Sequence, residues 1–329
     1  MPEPRHVGAA TARRFLALRH FLRPPRSLPA ISESVLTVVA RLGSLQFDPL
    51  SVAGRNHDLV LHARIQGYRP DWTDRLLYRT RQLFEAYNKG LSLLPTAELP
   101  WYRITWQRGA EAHARELFES QRELVEKVLG RIREEGPLST LDFERGAAMD
   151  WYWGPTNEVR AVLEALGESG ILGLARRVGN RRYYQLLERL FPAELLAQRV
   201  DEHEQLRHKL LSRYRAHGLL GASGSAELWS GITRRPTTDA GVPARSSVRA
   251  ELLRELVERE ELVPVAVEGI RGIRYVVARE LPLLEQAGRE VAAGADEHSG
   301  VAFLAPLDPL VWDRDLLRSL YRFDYIWEV

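Results

Sequence analysis

The sequence predicts a mainly helical α+β protein with small β-hairpins, arranged as tandem winged-helix, helix-turn-helix-like units. Three observations carry that prediction. Apolar residues recur at helical spacing through most of the 329 residues. Short apolar and aromatic runs come in pairs around glycines, as hairpin strands do. The order helix, short helix, helix, hairpin then occurs twice, which is the winged-helix layout.

The first helix is expected in "TARRFLALRHFL" (11–22), where Phe15, Leu18, Phe21 and Leu22 share a face. "RPPRSLP" breaks it, and Ser32 or Ser34 caps a second helix running through Leu42. Further helical turns fit residues 55–66 and "YRPDWTDRLLY", and "QLFEAYNKGLSLLP" reads as two short strands. From 96 to 134 the pattern is helical again. The helix "QRELVEKVLGRIREE" ends at Gly136-Pro137, and "LSTLDFE" is a short element with Asp142 as its cap. "GPTNEVRAVLEALGESG" reads as a helix started by its proline and stopped by glycine. "ILGLARRVGNRRYYQLL" forms a hairpin turning at Val178-Gly179-Asn180, with Arg176, Arg177, Arg181 and Arg182 around its tip.

The order repeats after residue 200, with "DEHEQLRHKLLSRYRAHG", a short helical "SAELWSG" and the long "ARSSVRAELLRELVEREEL". The hairpin "VPVAVEGIRGIRYVVA" follows, with Arg271 and Arg274 at its tip, and Arg234 and Arg235 lie in a preceding surface loop. The expected domains are 1–118, 119–198 and 199–290, each a winged-helix unit. Residues 291–329 are expected to begin a β-rich region cut short after Val329. Phosphates line the groove beside a bound wing, so cations at these tips suit DNA; a solvated hairpin is the alternative.

Composition narrows the classes. Hydrophobic residues make up 45% of the chain, enough for packed cores. The absence of cysteine excludes disulfides and Cys-based zinc sites and fits a reducing cytoplasm. No signal-peptide core or run of about 20 apolar residues is present, so no membrane association is expected. A net charge of +2 is uninformative, but only Lys89, Lys127 and Lys209 are lysines among 46 basic residues. Arginine's planar fork suits phosphate and stacking on bases; an Arg-rich proteome explains the same bias. His57 and His62, like His203 and His208, lie five apart rather than four, and HExxH, phosphate-loop, dinucleotide and GxSxG patterns are missing. Neither a metal nor a cofactor is expected.

The stretch "RLGSLQFDPLSVAGRN" (41–56) is the most pointed. A helix runs out at Gly43, and Gln46 and Asp48 then straddle Phe47 before Pro49. In an extended backbone, i and i+2 face the same way, and proline biases Asp48 toward that conformation. The pair can hold a water molecule between them or cap a neighbouring helix. Near the C-terminus Asp308, Trp312, Asp313 and Arg314 form either an internal ion pair against the Trp or the rim of a cleft, to which Lys89 is also assigned.

Three blocks, "RLGSLQFDPLSVAGRNHDLVLHARI", "FERGAAMDWYWGPTNEVRAVLEAL" and "LAPLDPLVWDRDLLRSLYRFDYIWEV", together resemble the YcaQ/AlkZ family of bacterial DNA glycosylases. That family is built from tandem winged-helix units and includes members that unhook interstrand crosslinks. Its Gln-x-Gln or Gln-x-Asp signature falls on Gln46 and Asp48. Family members usually continue beyond the last block with a basic, Tyr-rich strand segment, and "FEAYNKG" stands where many carry an aromatic-His sequence.

The resemblance implies a monofunctional glycosylase that hydrolyses the N-glycosidic bond of alkylated, cationic purines, with Asp48 activating water and Gln46 positioning it. Its partner would be double-stranded DNA carrying alkylated bases or crosslinks, bound by a monomer in the cytoplasm at the nucleoid, with Arg55 as a local phosphate contact. Three rivals stay open: a non-enzymatic winged-helix regulator, a glycosylase/lyase using Lys89 as Schiff-base nucleophile, and a catalytically silent family relative.

Overall fold

A computed structural model describes residues 2–152, 154–232, 245–294 and 300–326. Its helices are α1 (Ala9–Arg19), α2 (Glu33–Leu42), α3 (Asn56–His62), α4 (Pro70–Tyr78), α5 (Arg103–His113), α6 (Arg122–Glu135), α7 (Glu158–Glu168), α8 (Ala193–Ala197), α9 (Glu202–His217), α10 (Arg245–Glu258), α11 (Leu281–Ala292) and α12 (Arg314–Tyr321). Its strands are β1 (Arg5–Val7), β2 (Leu45–Gln46), β3 (Leu83–Tyr87), β4 (Leu91–Pro95), β5 (Ala148–Met149), β6 (Thr156–Asn157), β7 (Leu172–Val178), β8 (Arg181–Leu186), β9 (Leu220–Gly221), β10 (Leu262–Val267) and β11 (Arg274–Val277). This is the expected α+β protein, mainly helical with small sheets. Among the described residues no helix is long and apolar enough to cross a membrane.

The chain forms two compact units. One gathers Met1–Thr73, Tyr87–Pro95 and Leu206–Val329; the other gathers Asp74–Ala86 and Thr96–Gln205. In the second unit, α6 contributes Val128 and Ile132 to a core completed by Val159, Val162, Leu163 and Leu166 of α7 and by Leu172, Tyr184 and Leu186 of the β7–β8 hairpin. Each such side chain stabilises the fold by about 1.5–3 kcal/mol once buried. The hairpin turns at Gly179-Asn180, as its sequence predicts, and pairs Leu172 with Leu186 at its base and Val178 with Arg181 at its tip.

Pro155 does not start α7. Asn157 caps it, its side chain accepting a 3.0 Å hydrogen bond from the Val159 amide, and the two residues of β6 pair with β5 just before. An Asn cap is worth about 1 kcal/mol, so it outweighs a proline two residues upstream.

In the first unit the β10–β11 hairpin lies inside a four-stranded sheet ordered β1-β10-β11-β9. β1 pairs in parallel with β10, placing Val7 opposite Val267, and α1, α11 and α12 pack Phe15, Leu16, Leu284, Leu316 and Leu320 into the same core. "SAELWSG" forms turns, not the short helix its composition suggests. The reason lies in α9: its buried Arg213 guanidinium donates to the carbonyls of Leu228 (2.9 Å) and Ser230 (3.1 Å), drawing them away from a helical ladder.

Candidate active site

The helix before the Gln-Phe-Asp motif ends for a clear reason. α2 buries Val35, Val38, Val39 and Leu42 on one stripe, and Gly43 then takes φ +73° at its C-cap, a conformation open to glycine at no steric cost. The chain straightens into β2, which pairs antiparallel with β4 (Leu45 opposite Leu93, Gln46 opposite Ser92). The Phe47 amide extends the pairing by donating to the Leu91 carbonyl at 2.7 Å.

Period-2 alternation decides the rest. Phe47 is buried, its ring stacked on His57 at 5.3 Å, with the Arg55 guanidinium 5.8 Å over the same ring. Gln46 and Asp48 are each half-buried on either side of it. The Asp48 carboxylate accepts the Leu50 amide at 2.8 Å, an Asx-turn that fixes the loop across Pro49.

Lys89 sits beside this pair. Its ammonium is buried and donates to Gln46 Oε1 at 3.3 Å and to Glu227 Oε1 at 2.5 Å, and it lies 5.1 Å over the Trp312 ring. Burial lowers the Lys89 pKa; the hydrogen bond and charge of Glu227 oppose that shift, while Arg213 and Arg314 add to it. With Gln46 Oε1 turned to the ammonium, Gln46 Nε2 lies over Gly90, where a Cβ would stand 3.2 Å away. A side chain at residue 90 would therefore displace the amide.

A buried polar frame holds these elements. Asn56 donates to the Gln46 carbonyl (2.9 Å) and accepts from the Leu307 amide (3.0 Å), joining the motif to the segment that carries Trp312. Asn88 donates to Ser44 Oγ (3.3 Å) and Ser212 Oγ (3.0 Å) and accepts from Arg213, and Ser230 Oγ donates to the Lys89 carbonyl at 3.1 Å. Sequence reasoning missed Asn56, Asn88, Arg213 and Glu227. Asn88 had one signal, its place beside Lys89; the others meet the motif only through folding.

The remaining expected site residues are distributed differently. Lys89 reaches Gln46, and Trp312 and Arg314 lie close to Lys89, with Arg314 exposed at the start of α12. Asp308 is not on a rim: it is fully buried in a two-pronged ion pair with Arg64 (2.8 and 3.0 Å). Arg176 and Arg181 are exposed at their hairpin tip, Arg176 lying 4.1 Å over the Tyr183 ring, and Arg182 bonds Glu164 (3.4 Å) and the Tyr184 hydroxyl (3.3 Å).

Arg177 is withdrawn from the tip. It donates to Glu85 at 2.9 and 2.6 Å, and the two side chains are only 4% and 5% exposed. Burial alone would raise the Glu85 carboxyl, yet Arg177 and the Tyr78 hydroxyl (2.5 Å) outweigh it and hold that pKa below the ordinary range. Arg271 is exposed in its turn, whereas Arg274 is 9% exposed inside β11 and pairs with Asp313. Buried and ion-paired, Arg177 and Arg274 cannot reach a phosphate. Arg234 and Arg235 lie outside the described residues.

Chemically, the arrangement offers a carboxylate and an amide side by side at a surface, with the amide aimed by an ammonium whose own charge is neutralised by Glu227. Residues 39–329 match the model of the AlkZ-like DNA glycosylase family. Among solved structures, the DNA glycosylase AlkZ of Streptomyces sahachiroi is similar, with a TM-score of 0.54 and 18% identity over 85% of this chain and 72% of that one. At that identity the likeness speaks for the fold alone.

Proposed function

The chain belongs to the AlkZ-like DNA glycosylase family, and from that premise we propose that it hydrolyses the N-glycosidic bond of alkylated, cationic purines in duplex DNA. Asp48 is the general base and electrostatic stabiliser, and Gln46 positions the attacking water. The observation that carries the reading is the placement of Gln46 and Asp48 on either side of buried Phe47, with both half-buried side chains fixed by named hydrogen bonds.

A purine alkylated on a ring nitrogen departs with the C–N bonding pair, which neutralises its charge, so no general acid is required. Water adds to the sugar carbon as oxocarbenium character builds there, and Asp48 takes its proton. A positioned base and a preorganised anion are each worth about 10²–10³ in rate. The Gln46 amide, held by Lys89 and seated over Gly90, orients the water through Nε2. Pairing Lys89 with Glu227 keeps a bare cation from opposing the transition state. An interstrand crosslink through alkylated purines presents the same bond, so unhooking follows from the same chemistry.

Single-turnover release from a duplex carrying an N7-methylated guanine, run beside a nitrogen-mustard crosslink, tests the reading. Asp48→Asn should slow release by about 10²–10³ with DNA binding unchanged, and Gln46→Ala by a smaller factor. Tight DNA binding without release from either substrate would leave a DNA-binding protein without this chemistry, as in a regulator.

A further inference from the structure

The chain beyond Asp48 puts apolar groups where a soluble protein has no need of them. Residues 49–53 are all exposed, with Leu50 at 73% and Val52 at 100%. Single exposed aliphatics are ordinary. Two within three residues, at the tip of a loop that starts at the proposed catalytic carboxylate, are a more specific arrangement.

The loop is also tied. Pro49 restricts the backbone at its entry, the Asp48 carboxylate holds the Leu50 amide, and Phe47 anchors the near end against His57. At the far end Gly54 adopts φ +151° and Arg55 leads into α3. Leu50 and Val52 thus stand two and four residues from Asp48, exposed on the same loop. Arg55 adds a cation on the same loop, complementary to a phosphate backbone.

We propose that Leu50 and Val52 form an apolar wedge that enters a base step of the substrate duplex beside the lesion while Asp48 meets the sugar. The inference rests on the glycosylase reading for its substrate. The wedge does not require the damaged base to be turned out of the helix, so it suits a base crosslinked to both strands. Unstacking a step is costly, and burying the two aliphatic side chains offsets that cost, as for apolar residues that kink DNA.

The experiment places 2-aminopurine next to N7-methylguanine and reads its fluorescence on binding by Asp48→Asn protein, which retains the side-chain oxygen for the Asx-turn. Asp48→Asn should brighten the probe, and the same protein carrying Leu50→Ser and Val52→Ser should not. In an Asp48 background, the double substitution should slow release from a matched duplex by about tenfold. That loss should shrink when the lesion faces a mismatch that already loosens the step. An unchanged urea midpoint checks folding, since both positions are exposed. Equal brightening with and without the aliphatic side chains overturns the wedge, as does no brightening at all. Absence of base release from every protein would sink the catalytic reading and leave the fluorescence to decide the wedge.

Discussion

In the β7–β8 hairpin, Arg176 and Arg181 stand in solvent beside the turn, while in the β10–β11 hairpin Arg271 does so and Arg274 is buried against Asp313. The difference comes from neighbours rather than from local sequence. β7–β8 is a two-stranded sheet whose tip residues Arg176 and Arg181 are exposed, while Arg177 on it is covered by its ion pair with Glu85. β10–β11 has β1 along one edge and β9 along the other, and all four residues of β11 are buried. Basic residues near a glycine turn are therefore not one class. Some stand exposed in solvent and others belong to the core's own ion pairs.

Removing the buried cations should produce the largest effect. Arg177→Met strands Glu85, and Arg274→Met strands Asp313, each costing about 3–5 kcal/mol in urea unfolding. Replacing Glu85 by Leu together with Arg177→Met should recover most of the loss. A cost below about 1 kcal/mol for both single variants would put these arginines with exposed ones and dissolve the comparison.

Acid should separate the two hairpins next. His217, buried near Arg274 and Asp313, has its pKa lowered from 6.5 to about 4, by burial first and then by the charges of Arg274 and Arg19, with Asp313 opposing. The folded state thus keeps the ring neutral: its Nδ1 accepts the Leu219 amide, and its Nε2 has no hydrogen-bond partner among the described residues. Stability is at full value above 6.5 and falls as pH drops toward about 4, by up to about 1.4 kcal/mol per unit. The Glu85 carboxyl, held below its ordinary value, is lost only at lower pH. Hydrogen exchange should find the Val276 amide losing protection before Tyr184 as pH falls. His217→Gln should erase that early window, and simultaneous loss in wild type would contradict the distinction.

The smallest effects belong to the exposed tips. Arg176→Gln with Arg181→Gln should flatten the slope of log K against log salt for duplex DNA by about 0.9 per arginine, with stability within about 0.5 kcal/mol. Arg271→Gln should change the slope by about half as much as that pair. An unchanged slope for all three would remove the tips from the DNA contact.

Much of this molecule was legible in its sequence. α2, α7 and the β7–β8 turn follow from apolar periodicity and glycine placement, and the order of Gln46, Phe47 and Asp48, two half-buried side chains around a buried one, follows from the two-residue period of an extended chain. β1 was not legible: three residues carry no pattern, and its partners at Val265–Val267 lie far along the chain. The turn conformation of "SAELWSG" was hidden for the same reason, since the arginine that draws off its carbonyls comes from α9.

By itself, then, the sequence determined the α+β class and the local geometry that presents Gln46 and Asp48, because these depend on residues within a few positions of one another. Only the tertiary structure decided that Lys89 and Asn56 meet Gln46, that Glu227 meets Lys89, and that Arg177, Arg274 and Asp308 are core ion-pair partners. A guanidinium or carboxylate has the same local sequence pattern whether it faces water or an opposite charge. The choice rests on which distant segment arrives to cover it.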